Sequence, residues 1–119
     1  MSPEANEQAH AAQATATALR RAASVARALA DAARTRGDAL RAVAQAQRRE
    51  ADLLNDPRQE EFRRRHADIA EKQARIADRE AGTYEAEAQA TESEALNADA
   101  RAVRGSPASD DIALPVPRP

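Results

Sequence analysis

Cysteine and tryptophan are absent from these 119 residues, and the only aromatic residues besides the histidines are Phe62 and Tyr84. Without cysteine there is no disulfide, no thiolate metal ligand and no thiol nucleophile. So little aromatic surface cannot fill an ordinary globular interior, so the core must be thin. Also missing is any run of about 18 apolar residues that could cross a bilayer. The start, Met1-Ser2-Pro3-Glu4, lacks the basic and apolar regions of a Sec signal peptide. A cytoplasmic location is the expectation, with leaderless export by a specialised secretion system compatible with it.

Alanine supplies more than a quarter of the chain, and with Arg, Glu, Asp, Leu and Gln it makes the composition of long helices. The expected fold class is all-α. Lys72 is the only lysine among 18 basic residues, a bias that with so much alanine suggests a GC-rich bacterial genome. The formal net charge of -2 hides an uneven distribution: Arg58, Arg63, Arg64 and Arg65 cluster past the midpoint, whereas Glu80 to Asp99 holds six acids and no base.

Ser2 as N-cap, Pro3 at the first helical position and Glu4 in the first turn predict a helix from about residue 3. It meets no breaker before about Leu54, since one interior glycine, Gly37, costs only about 1 kcal/mol. Asn55-Asp56-Pro57 reads as a turn, with Asp56 capping a second helix, Pro57 opening it and Gln59 completing a capping box. That helix should continue to about Arg104, tolerating Gly82. Gly105-Ser106-Pro107 then stops it, and Pro115, Pro117 and Pro119 predict a disordered tail over 105–119. The expected domain is thus a helical hairpin over 1–104. An alternative is that Pro57 only kinks one long helix, which would pair between molecules.

Both helices carry a seven-residue repeat. In the first, Ala9, Ala16, Ala23, Ala30, Gly37, Ala44 and Ala51 form an a column, and Ala12, Leu19, Ala26, Ala33, Leu40, Gln47 and Leu54 a d column. In the second, Ala67, Ala74, Ala81, Ala88, Ala95 and Ala102 stand at a, with Ala70, Ala77, Tyr84, Thr91 and Ala98 at d. The e positions are then Arg20, Arg27, Arg34, Arg41 and Arg48 on one helix and Glu71, Asp78, Glu85, Glu92 and Asp99 on the other. Because e lies beside e only in an antiparallel pair, these columns predict an antiparallel, alanine-rich coiled-coil hairpin. At 1.5 Å per residue the rod would be roughly 70 to 80 Å long.

Two registers compete. A tight turn is preferred; it brings Arg41 near Glu71 and Arg34 near Asp78 but sets Arg48 opposite Arg64. A slip of one heptad restores all five pairs, places Gly37 opposite Tyr84 and needs the second helix to overhang the first.

The first helix has a wider apolar arc than one partner requires: a c column of Ala11, Ala18, Val25, Ala32, Ala39, Ala46 and Leu53, with Leu29 and Val43 at g. Phe62, Ile69 and Ile76, spaced by seven, lie off the second helix's alanine seam. Val25, Leu29, Val43, Phe62, Ile69 and Ile76 are therefore the candidate partner-binding residues. The competing reading tucks them into the hairpin through drift in real helix packing. The basic group Arg48, Arg49, Arg58, Arg63, Arg64, Arg65, His66 and Lys72 is interleaved with acids and reads as a solvated face more readily than as a nucleic-acid surface. His10 and His66 have no ligand spacing, no Gly-rich phosphate loop exists, and no Ser/His/Asp set converges. No metal, cofactor or catalytic site is expected. The tail's Asp110-Asp111-Ile112-Ala113-Leu114-Pro115-Val116-Pro117 could serve as an extended docking peptide.

In outline the expected hairpin resembles the antiparallel coiled-coil stalk proteins of type III export systems, a likeness of architecture alone. It has the size of secreted hairpins built on a Trp-x-Gly turn, but the turn here is Asn55-Asp56-Pro57. Ala88 stands where a Tyr-x-x-x-acid export signal counted from Tyr84 would need its acid. No family is assigned on these grounds. The expected function is that of a non-enzymatic structural or adaptor protein, forming a homo-oligomer or a complex with another helical protein. A component or substrate of a bacterial secretion apparatus is the alternative, and nucleic-acid binding through the basic tip a remoter one.

Overall fold

Ser2 starts the first helix as its sequence position implies, its Oγ accepting the Ala5 N–H at 3.1 Å and its carbonyl the Asn6 N–H at 3.2 Å. The computed structural model describes residues 2–104. Met1 and the whole tail lie outside the described residues, and with them the expected disorder and the docking peptide. Helix α1 spans Pro3–Leu53 and helix α2 spans Pro57–Arg104. Leu54, Asn55 and Asp56 connect them without any positive backbone φ. Asp56 caps α2 through its Oδ1, which accepts the Arg58 N–H at 3.0 Å, while its carbonyl takes the Glu60 N–H at 3.0 Å. That cap is on the second helical position and not on Gln59 at the third, and the Gln59 side chain makes no reciprocal bond, so Asp56 caps α2 without the expected capping box.

The two helices pack against each other as an all-α hairpin, with no strand among the described residues. Pro57 therefore turns the chain and does not merely kink it. Tertiary contacts divide the chain into two units, one made of Met1–Ala26 with Glu87–Pro119 and the other of Arg27–Ala86.

In the first unit, Ala16, Ala23 and Ala26 are buried on α1 and Ala88, Ala95, Ala98 and Ala102 on α2. In the second, Ala30, Ala33, Gly37, Ala44 and Ala51 are buried on α1, and Ala67, Ala70, Ala74, Ala77 and Ala81 on α2. Among the described residues every buried side chain is thus an alanine, each at a predicted a or d position. The larger or polar occupants of those columns, Leu19, Leu40, Gln47, Leu54, Tyr84 and Thr91, are only half-buried. A methyl group is worth about 0.8 kcal/mol on burial. Helix propensity and the turn must therefore contribute heavily to a fold whose interior is methyl groups.

Candidate functional site: two faces of the hairpin

In the Arg27–Ala86 unit the seam separates two faces of different chemistry. On one, Arg34 meets Glu85, Arg41 Nη1 meets Asp78 Oδ2 at 2.8 Å, and Arg48 meets Glu71 while its Nη2 reaches Asp68 at 3.1 Å. The partners step by seven residues in opposite directions along the two helices. In the other unit, Arg20 pairs with Asp99. Glu85 holds the Arg34 guanidinium above its ordinary pKa, Asp78 and then Asp38 do the same for Arg41, and Glu71 does so for Arg48. Reciprocally, the hydrogen bond from Arg48 holds the Glu71 carboxyl below the usual range.

These are the pairings of the slipped register, yet the turn is tight, so the preferred contacts of Arg41 with Glu71, Arg34 with Asp78 and Arg48 with Arg64 are corrected. The reason is the lean of helical side chains toward their own N-terminus. In an antiparallel pair that lean carries Arg41 toward Asp78 and Asp78 back toward Arg41. They meet several residues from the position that lies opposite in the backbone. Gly37 is where they meet. A Cβ there would lie 2.9 Å from Asp78 Oδ1, 3.5 Å from the Ala74 carbonyl and 3.5 Å from Arg41 Nη2. Gly37 therefore faces Ala74 and Asp78, and the juxtaposition with Tyr84 that the slipped register required is not found.

Near the turn, Arg64 is drawn to Asp52 at 2.9 Å and Glu60 at 3.1 Å, which raise its pKa, Asp52 more strongly. Arg63 reaches Gln47 Oε1 at 3.1 Å and Glu50 at 3.2 Å, with its Nε buried and without a partner. Sequence reasoning placed Arg63 on the solvated tip and missed this layer. The signal was present: Gln47 stands in the d column, and stepping back seven from Ala70 puts Arg63 at d.

The opposite face is apolar. Val43, Leu29, Phe62, Ile69 and Ile76 are each between 44% and 54% exposed, so none is tucked into the hairpin. Val25, the sixth predicted residue, belongs to the other unit and is 60% exposed there. Val43 and Ile69 are the chain neighbours of Ala44 and Ala70, which pack with Ala67 in the seam. A groove of about 280 Å³ lies beside Ile76, walled by Leu40, Ala77 and Gln73, with the Arg36–Glu80 ion pair at 2.6 Å across it. Phe62 lies against the His66 ring, centroids 4.7 Å apart. Leu53, Leu96 and Val103 are further exposed apolar residues that the sequence reading did not single out as sites.

Among the described residues no group of His, Asp or Glu side chains is arranged to hold a metal ion, and no helix is long and apolar enough to cross a membrane. Compared with known protein families, curated proteins and solved structures, the chain has no match.

Proposed function

We propose that this chain is a non-enzymatic coiled-coil adaptor that works by docking a helix against the apolar face of its hairpin. The observation that carries the reading is the exposure of Phe62, Ile69 and Ile76, one every two turns, on a helix whose own seam is already filled by alanine. A surface helix with one partner needs one apolar stripe; α2 has two. Helix-in-groove recognition uses this spacing of large anchors. The adaptor acts either on a further copy of itself or on another helical protein.

The test compares the native chain with a Phe62→Ser/Ile69→Ser/Ile76→Ser variant, by light scattering over a wide concentration range and by co-purification from the source cell. The expected result is an oligomer or a co-purifying protein that the variant loses while keeping its helicity. A native chain that stays monomeric and retains nothing that the variant loses would sink the proposal.

A further inference from the structure

Some bases of the Arg27–Ala86 unit are matched across the hairpin, and others, Arg49 and Arg75 included, are exposed without such a match. Arg34, Arg36, Arg41, Arg48, Arg63 and Arg64 are matched by acids across the hairpin. Arg58, Lys72 and Arg79 are exposed, and no acid among the described residues lies within ion-pair distance of them. Arg65 turns to Glu61 on its own helix, at 2.8 Å, and that side chain is 74% exposed. These four bases recur every seven residues, and each apolar anchor has one four residues before it and one three after. Arg58 and Arg65 flank Phe62, Arg65 and Lys72 flank Ile69, and Lys72 and Arg79 flank Ile76. Residues three and four apart are neighbours on a helix, so the bases form one continuous edge of the apolar stripe. The other edge, Gln59, His66, Gln73 and Glu80, contains a single acid, and Arg36 already occupies it.

From this we infer that the occupant of the stripe is an acidic amphipathic helix of another protein, its apolar residues on Phe62, Ile69 and Ile76 and its carboxylates along Arg58, Arg65, Lys72 and Arg79. The inference rests on the proposed docking role and gives the partner its chemistry. A symmetric second copy fits poorly. Antiparallel packing of α2 on itself about Ile69 would set Arg65 against Lys72 and Arg58 against Arg79, and like charges across such a seam are unfavourable. A phosphate backbone would satisfy the bases but leave the three apolar side chains between them without a partner. An acidic helix satisfies both columns.

Three synthetic peptides of about six turns, sharing a leucine stripe and differing only in flanks of glutamate, lysine or glutamine, are titrated against the native chain by fluorescence anisotropy. The glutamate peptide should bind tightest and weaken with salt. Lys72→Glu/Arg79→Glu should weaken it by about tenfold, turning preference toward the lysine peptide, and Ile69→Ser should weaken all three. Circular dichroism verifies that each variant keeps its helicity. Equal binding of all three peptides overturns the acidic assignment while leaving the docking role intact. Binding of none, with a stripe-dependent oligomer seen by light scattering, gives the surface to a second copy and overturns it. Binding of none to a monomeric chain overturns the assignment and the docking role together. Saturation by a DNA duplex, with the acidic peptide silent, makes the column a phosphate site and also overturns it.

Discussion

Gly37 and Gly82 are both interior glycines of long helices, yet their surroundings differ. Nothing lies within 4 Å of a Cβ added at Gly82, so Gly82→Ala should collect the full helix-propensity gain of about 1 kcal/mol, a rise in melting temperature of about 4 to 8 °C. At Gly37 the same methyl group meets Asp78 Oδ1 at 2.9 Å. That carboxylate is the end of a short side chain and can move, but only by loosening its bond to Arg41. Gly37→Ala should therefore gain clearly less than Gly82→Ala in thermal unfolding; equal gains would show that the ion pair needs no space there. The carboxyl of Glu71 makes a second prediction. Its folded pKa is depressed, chiefly by the hydrogen bond from Arg48. The stability it contributes is complete above the unfolded carboxylate value of about 4.3 and is lost as pH falls through the lower folded value. The melting temperature should drop across that acid window, and Glu71→Gln should make the drop shallower.

At the scale of the helices, the alanine seam is interrupted by a polar layer in which Arg63 on α2 meets Gln47 on α1. A half-buried polar contact in such a seam costs some stability and specifies which residues face each other. Here the cost is visible in the unpartnered Nε of Arg63. Gln47→Leu/Arg63→Leu should therefore stabilise the hairpin, by less than the gain seen when a fully buried ion pair is replaced, read as a higher denaturant midpoint. It should also weaken the register, read as poorer dispersion of the amide spectrum. A destabilised double variant would mean that the layer contributes through its hydrogen bonds to Gln47 and Glu50. The ion ladder beside this seam has a different role. Its pairs are solvent-exposed, and such pairs contribute about 0 to 1 kcal/mol each, enough to orient two helices and too little to hold them.

For the molecule as a whole, folding and the proposed docking would use different residues. Alanine columns make the buried seam, and Phe62, Ile69 and Ile76 lie off it, each at least half exposed. Replacing Phe62, Ile69 and Ile76 by serine should consequently cost no more than about 1 kcal/mol per site, as each side chain is only about half covered. Far-UV circular dichroism should be unaltered, and any association should be lost. A collapse of the fold in that variant would show that the stripe belongs to the hairpin's own core.

Helix boundaries, the turn at Asn55-Asp56, the alanine seam and the antiparallel sense were all legible from residue order. Each follows from local rules: Ser2 and Asp56 cap, Pro57 opens a helix, and a seven-residue repeat of small residues can bury only one face. Which arginine meets which acid was not legible from opposition alone. That depends on how far side chains lean along the two axes, a distance comparable to the heptad itself, and the packed hairpin decided for Arg41 with Asp78 and Arg48 with Glu71. Nor could spacing decide whether Phe62, Ile69 and Ile76 lay inside or outside. Only the packed pair shows that every fully buried side chain among the described residues is an alanine, leaving Phe62, Ile69 and Ile76 about half exposed beside a row of bases with no acid across the hairpin.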